Sequence, residues 1–299
     1  MEIIRISLEK KAKLDGITLC LGYFDALHLG HVSLIKKAKS LTDKIALLTM
    51  DPNPSSFFQK NVKEVNSIDD KIEILESLGV DYFVILETDE NLLKIDSQRF
   101  IEEILLPLKV KNIVCGFDYH FGSKRSGDAN LLKQYSEFNT YVCEEVSFEN
   151  EKVSTTLIKN LLDEGNIEKV NKLLTRNYQI KGKVIHGNSL GNKIGFPTAN
   201  IQLDENKVYP KNGVYSGYLL LENKKYLSMI NIGVHPTINK LEKRIVEVHV
   251  INQNISLYDK DITLVFEKFI REEIKFESIK DLIKQLEKDK KNILTINNE

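Results

Sequence analysis

The chain changes texture once, and that change constrains its fold more than any other feature. Up to about Thr175, short apolar runs alternate with segments of helical period. ITLCLGYF at 17–24 reads as a buried strand, and the following VSLIKKAKSL places Val32, Ile35 and Ala38 on one helical stripe. KIALLTM is the next strand. In SIDDKIEILESLG, Ser67 stands as an N-cap, Asp70 three residues on completes a capping pattern, and Gly79 marks the stop. YFVIL at 82–86, a helix from about Ser97 to Leu106 that runs into Pro107, NIVCG at 112–116, a helix near 128–138 and YVCEEV at 141–146 continue the series. Alternation of this kind predicts an α/β unit, a parallel sheet with helices on both faces. Ligands of such sheets bind beyond the C-terminal strand ends, which directs attention to the loops after Phe24, Met50 and Cys115.

Two short helices, STTLIKNLLDEG and IEKVNKLLT, close this half. After Thr175, QIKGKVIHG, GVYSGYLLLE, KKYLSMINIG, RIVEVHVIN and DITLVFEKFI follow one another as strands separated by Gly, Asn and Lys turns. Strands without intervening helices predict an antiparallel sheet or small barrel. The last segment puts Ile279, Leu282, Ile283 and Leu286 on one face of an amphipathic helix expected to dock on that barrel. A boundary near 175–180 gives domains of 1–175 and 176–299, and 299 residues are more than one compact core usually holds.

Composition narrows the function. With 42% hydrophobic and 28% charged residues the chain is not disordered. Forty-two Lys and Arg against 43 Asp and Glu leave a net charge of −1, so no bulk field draws nucleic acid or anionic lipid, and anion binding has to be local. Cys20, Cys115 and Cys143 form no CxxC spacing, which points to a reducing compartment, the cytoplasm by default. No apolar run approaches the ~18 residues of a membrane-spanning helix, and no signal segment is visible, so a soluble protein is expected.

GYFDALHLGH, from Gly22 to His31, sits where the first strand hands over to the first helix. Gly22 and Gly30 permit close backbone approach, and the N–H groups of a helix start favour a phosphate. His28 and His31, three apart, can donate to the same anion; a plain turn with two surface histidines, or half of a metal site, are the alternatives. GNSLGNKIGFPTAN, from Gly187 to Asn200, is a glycine-rich turn with Lys193. Alternation along a strand puts Thr198 and Asn200 on one face, where two hard oxygen ligands suit magnesium.

The first motif resembles the G-x-F-D-G-x-H-x-G-H signature of nucleotidylyltransferases, specifically the adenylyltransferase half of the bacterial bifunctional riboflavin kinase/FAD synthetase family. Gly22, Phe24, Asp25, His28, Gly30 and His31 match, with Ala26 where glycine is usual. TMDPNP at 49–54 resembles the family's FDPHP loop with Asn53 for histidine. CGFDYHFGSKRSGD at 115–128 and VSTTLIK at 153–159 resemble two further segments, with Leu157 and Lys159 where arginines are common. The second motif resembles the flavokinase G-x-P-T-A-N loop. YPKNGVY, INIGVHPT, EVHV, LYDKDI and FIREEIKF follow in family order, with His235 in place of a common arginine.

The resemblance implies a Rossmann-like nucleotidylyltransferase domain followed by a small flavokinase-like antiparallel β-barrel with a C-terminal helix. It also implies two reactions. Riboflavin is phosphorylated by ATP to FMN, and FMN is adenylylated by a second ATP to FAD and pyrophosphate. Glu247 becomes the general base, Thr198 and Asn200 the magnesium ligands, and His28 and His31 the groups that stabilise charge on the ATP phosphates, with magnesium expected at that site too. ATP or flavin binding falls to Gly22, Phe24, Asp25, Gly30, Asn53, Asp118, Arg125, Ser154, Thr155, Thr156 and Lys159 in the first domain. In the second it falls to Gly187, Gly191, Lys193, Gly195, Pro197, Asn231, Gly233 and Arg271. Arg271 reads equally well as an exposed, salt-bridged arginine, and His249 as structural. The competing readings are a riboflavin kinase with an impaired or regulatory first domain, a nucleotidylyltransferase for another substrate, and a non-enzymatic flavin-responsive regulator that binds nucleic acid.

Overall fold

The computed structural model describes residues 1–185, 191, 194–222, 224–236, 242–253 and 255–297, the side chains of 235, 236, 242 and 243 excepted. The chain divides into two compact units, Met1–Leu157 and Ile158–Glu299.

The first unit contains β1 (Glu2–Ile6), β2 (Thr18–Leu21), α1 (Leu29–Lys39), β3 (Ile45–Asp51), α2 (Ile68–Ser77), β4 (Tyr82–Glu87), α3 (Ser97–Phe100) and β5 (Asn112–Gly116). After these come a hairpin of β6 (His120–Phe121) and β7 (Gly127–Asp128), α4 (Ala129–Leu132), β8 (Asn139–Cys143), and a hairpin of β9 (Ser147–Phe148) and β10 (Glu151–Lys152). The main sheet runs β1-β4-β3-β2-β5-β8 with every pair parallel. All four residues of β2 are buried because both faces are covered. Leu19, Leu21 and Ile113 pack on one face with Phe100, Ile101 and Leu105; Cys20, Leu47 and Val114 pack on the other with Leu34, Ile35 and Leu75. Successive strands leave β2 first on the β3 side and then on the β5 side. The sheet therefore reverses direction at β2, and the crevice at its C-terminal end is the ligand position of such a topology.

Local chemistry explains both agreements and departures. Ser67 caps α2 by accepting from the Asp70 N–H, and the Asp70 carboxylate accepts from the Ser67 N–H, as the sequence predicts. The helix expected over 97–106 instead opens after Phe100 into a π-turn, Ile101–Leu105, and a 3-10 turn, Leu106–Leu108. Pro107 has no N–H to donate, and its ring is incompatible with a regular ladder to Glu103. The helix expected over 128–138 stops at Leu132, since Phe138 is buried in the core and Asn139 already pairs with Asn112. β1, not anticipated, is an edge strand with exposed Glu2 and Ile3.

In the second unit α5 (Thr155–Glu164), which begins at the end of the first unit, and α6 (Ile167–Leu174) precede a closed six-stranded barrel. Its strands are β11 (Tyr178–Ile185), β12 (Ala199–Ile201), β13 (Gly213–Leu221), β14 (Lys224–Pro236), β15 (Glu242–Val250) and β16 (Asp261–Arg271). They close in the order β11-β12-β15-β14-β13-β16, all antiparallel. The compact units part before the change of texture at 175. The Lys211 N–H bonds the Leu162 carbonyl, and Asn171 bonds both the Phe266 carbonyl and the Tyr178 N–H, so both helices belong with the barrel. The last helix, α7 (Ile279–Ile296), docks through Ile283, Leu286 and Ile293 against Phe196, Val214 and Met229. Ile279 stays exposed at its start.

Candidate active sites

In the first unit the turn after β2 brings the histidines together. Phe24, Ala26 and Leu27 all have positive φ, at 55°, 67° and 48°, a strained path that Asp25 holds in place. One of its carboxylate oxygens accepts the N–H groups of Ala26, Val65 and Asn66 at 2.9, 2.9 and 3.1 Å, so that oxygen is committed to the fold. The Phe24 ring fills the space beside Gly22, where a Cβ would meet it at 3.0 Å, and presents its ring to His31 at 5.1 Å between centroids.

His28 is the N-cap residue of α1, but its side chain makes no capping bond; it stacks instead on His31, centroids 3.9 Å apart and planes 17° from parallel. Gly30 makes this possible, since a Cβ there would lie 3.1 Å from the His28 ring. Two imidazoles thus stand side by side at the first turn of an 11-residue helix whose N–H groups and dipole favour an anion. Thr155 ties the 153–157 segment to this turn by donating to the Asp25 carbonyl at 3.1 Å, and Ser154 accepts the Leu157 N–H at the start of α5. Thr156 is exposed, and Lys159 falls in the second compact unit.

Asp118 lies on the loop after β5 and Arg125 on the turn between β6 and β7. Asp118 pairs with Lys152 at 2.6 Å, and Arg125 sits 3.2 Å from His120. No described contact joins either to the histidines. Asn53 caps the turn Pro54–Phe57 and donates to Glu64. Glu64 also accepts from the Tyr23 hydroxyl and lies 3.8 Å from the ammonium of Lys71, which is wholly buried, bonds the Tyr23 carbonyl and covers the Tyr23 ring. Burial pulls the Lys71 ammonium below its usual range, against the pull of Glu64. The sequence reading missed this cluster, because a lysine in α2 reads as solvent-facing. The available signal is that Lys71 lies four residues before the core residue Leu75, on the same helical face.

In the barrel, register assembles the second site. Val246 and Val248 pair with Ile232 and Ile230, and all four are buried. Alternation then places Glu247, His249, Asn231 and Met229 on the other face. Asn231 pairs with Glu247, and Glu247 pairs with Asn200, so three polar side chains lie abreast on β14, β15 and β12. They line a cavity of about 280 Å³ together with Gly191, Phe196, Thr198, Met229, His249, Arg271, Glu273 and residues of α7. Gly191 closes the entry turn: a Cβ would sit 2.3 Å from the Phe196 carbonyl oxygen and 3.2 Å from the Thr198 hydroxyl. Gly195 holds φ +83° in the same turn. Gly233 admits the Glu273 carboxylate, which occupies the space a Cβ would need. Gly187 and Lys193 lie outside the described residues, as does the side chain of His235.

Thr198 and Asn200 bring a hydroxyl and an amide oxygen to this cavity, hard donors whose chemistry fits magnesium, beside the Glu247 carboxylate. Pro197 reaches the site through its carbonyl, which accepts from His249 Nδ1 at 2.8 Å. Since a carbonyl only accepts, Nδ1 carries the proton, and the ring braces the strand entry just before Thr198. Burial holds His249 below its ordinary value. A histidine of lowered folded pKa costs stability below that pKa: on acidification the unfolded chain takes up its proton first, near pH 6.5, and the deficit is complete once the folded group has titrated. Melting temperatures between pH 7.5 and 5 should therefore fall more steeply for the native protein than for His249→Asn, whose amide nitrogen takes the place of Nδ1 and can still donate to Pro197. Parallel curves for the two proteins would remove His249 as the source.

The two-unit fold agrees with what known proteins show. Residues 10–157 match the family model described as FAD synthetase, and residues 174–297 the one described as riboflavin kinase. The chain is 35% identical to the bifunctional riboflavin kinase/FMN adenylyltransferase of Listeria monocytogenes, over 92% of this chain and 90% of that protein. It is 36% identical to the protein of that name from Buchnera aphidicola subsp. Schizaphis graminum, over 97% and 96%. A solved structure described as a macrolide-efflux protein from Streptococcus pneumoniae superposes with a TM-score of 0.91 at 27% identity, covering 97% of this chain and 98% of that one. Efflux belongs to the description of that protein; among the described residues here no helix is long and apolar enough to cross a membrane. With both halves matched in order and relatives aligned nearly end to end, the chain belongs to the bifunctional riboflavin kinase/FMN adenylyltransferase family.

Proposed function

We propose that the barrel phosphorylates riboflavin to FMN and that the α/β unit converts FMN to FAD, each with its own ATP. The observation that carries this reading is the row Asn200–Glu247–Asn231 set beside Thr198 in a cavity whose other walls include Val214, Met229, Phe276 and Leu286. Glu247 accepts the proton of the riboflavin 5′-hydroxyl as that oxygen attacks the γ-phosphorus of ATP, the bond to the bridging oxygen breaks, and ADP leaves. Thr198 and Asn200 would hold magnesium, which when bound offsets the charge of the phosphates.

In the first unit the phosphate of FMN attacks the α-phosphorus of ATP and pyrophosphate leaves. The nucleophile is already an anion, so no strong base is required. His28, His31 and the N–H groups of α1 stabilise the charge that accumulates on the phosphates. Gly22, Phe24 and Gly30 shape this turn, Asn53 and the 153–156 segment border it, and Asp118 and Arg125 are offered from the loop after β5 and the β6–β7 turn. We assign both reactions to small-molecule substrates in the cytoplasm, without a nucleic-acid partner, a reading supported by the near-balanced charge and the unpaired cysteine spacing.

Incubation of the purified protein with riboflavin, ATP and magnesium, with the flavins resolved by chromatography, should show FMN appearing first and FAD after it. Absence of FMN overturns the kinase assignment. FMN that accumulates without FAD leaves a kinase with an inactive first unit.

A further inference from the structure

Helix α2 turns a lysine inward. Lys71 and Leu75 are buried on one face of the helix, and the Lys71 side chain is fully shielded from solvent. Its ammonium lies 3.3 Å from the Tyr23 carbonyl oxygen, 3.8 Å from Glu64 Oε2 and 4.2 Å from the centre of the Tyr23 ring. Glu64 Oε1 accepts from the Tyr23 hydroxyl, and Thr49 on β3 donates its own hydroxyl to the same Tyr23 carbonyl at 2.7 Å. Tyr23 is therefore gripped at its carbonyl, its ring face and its hydroxyl. An apolar side chain would fill this space without the cost of desolvating an ammonium, so packing alone does not account for a lysine here.

The residue after Tyr23 is Phe24, the first of the left-handed positions, with φ 55°. Turning the Tyr23–Phe24 peptide over would carry Phe24 out of that disfavoured region and swing the Tyr23 carbonyl away from both of its donors. Thr49 and Lys71 hold the peptide plane against this relaxation. The Phe24 ring depends on that plane: it lies over Gly22 and meets His31 at 5.1 Å between centroids, planes 60° apart. We infer that Lys71 is a positioning residue for adenylyl transfer, locking through the Tyr23 carbonyl the strained turn that sets His31 and the stacked His28 toward the phosphates. The inference rests on the first unit being the FMN adenylylation site. Glu64 balances the charge of the lysine, and Asn53, which donates to Glu64 at 3.0 Å, ties the loop after β3 into the same grip.

The test compares Lys71→Met, Lys71→Met/Glu64→Gln and Thr49→Val in the full chain, with adenylylation of supplied FMN, riboflavin phosphorylation and thermal melting measured on each preparation. Lys71→Met keeps the bulk of the side chain but leaves the Glu64 carboxylate without its balancing charge, so it should melt lower than wild type. Its kcat for adenylylation should fall about ten-fold or more, with KM for FMN and for ATP within about two-fold. Adding Glu64→Gln removes the orphaned charge, so the double variant should melt within about 5 °C of wild type while its kcat stays as low as that of Lys71→Met. Thr49→Val takes one hydroxyl from the same carbonyl and should lower the same kcat about three-fold. Riboflavin phosphorylation should be unchanged in all three, because every residue of the grip lies in the first compact unit.

A kcat that recovers with the melting temperature in the double variant makes Lys71 a packing element and overturns the inference. So does a kcat within about two-fold of wild type in either folded lysine variant, or a rise in KM with kcat unchanged, which puts the cluster on substrate binding. Should the lysine variants not fold, or the double variant remain unstable, Thr49→Val decides: a loss of about three-fold in kcat sustains the inference, and a wild-type rate overturns it. Wild-type protein that makes no FAD from FMN defeats the adenylylation reading and this inference together, whereas wild-type FAD synthesis with indifferent variants defeats the inference alone.

Discussion

In a Glu247→Gln variant, FMN formation from riboflavin and ATP should fall by about 10²- to 10⁴-fold, the range that general-base catalysis contributes, while adenylylation of supplied FMN continues at the wild-type rate. Glutamine keeps the side-chain length and the half-buried position on β15 but cannot take a proton. The partners on either side, Asn200 and Asn231, are amides and cannot substitute as bases. KM for both substrates should change little, since the carboxylate acts on the proton released in the transition state rather than on ground-state binding. Assays of the two half-reactions on one preparation decide the point. Retention of more than about a tenth of the kinase rate would dismiss Glu247 as the base, and a parallel loss of adenylylation in folded protein would contradict two sites that each lie within one compact unit.

The layered half of this fold was legible because buried parallel strands read as unbroken apolar runs, as TLCL and NIVCG do, and because Ser67, Asp70 and Gly79 each mark a helix end by a local mechanism. β1 escaped because an edge strand carries Glu2 and Arg5 in its sequence and needs burial only on its inner side. Long-range facts were out of reach of any local pattern. Thr198, Asn200 and Glu247 are identifiable as motif residues, but their assembly is a consequence of barrel register, which sets Asn200 opposite Glu247 and Glu247 opposite Asn231. For the same reason the motif leaves Arg271 open between a binding residue and an exposed salt-bridged one, whereas the chain puts it in the cavity wall against a buried carboxylate contributed by a helix further along the sequence.

The departures from the family pattern in the first unit acquire physical meaning in the same way. Ala26 occupies a left-handed conformation with φ 67°, where a methyl group costs about 1–2 kcal/mol relative to an unstrained position. Three backbone N–H bonds to Asp25 hold the turn against that cost. Asn53, in place of histidine, is no empty substitution: it caps the following turn and holds Glu64 within the Tyr23–Lys71 cluster. The segment that contains Leu157 still reaches the turn through Thr155. The departures at Ala26 and Asn53 are thus absorbed by the contacts around them, and the stacked histidines keep their place at the helix start.

That retained geometry makes the second large effect a direct one. Replacing His31 by alanine should lower FAD formation from supplied FMN and ATP by about 10²- to 10³-fold, the usual loss when one donor to a developing oxyanion is removed, with FMN formation from riboflavin unaffected. The effect is expected in kcat, because charge on the phosphates grows as the bond to pyrophosphate breaks, and the imidazole is aligned beforehand by His28 at 3.9 Å and by the Phe24 ring. Gly30→Ala provides the companion measurement. It leaves both imidazoles in the sequence but presses a methyl group to 3.1 Å from His28, so a loss of about ten-fold in the same step would show that placement, and not the mere presence of two histidines, sets the rate. Adenylylation within about three-fold of wild type in His31→Ala would instead move the phosphate charge onto His28 and the N–H groups of α1.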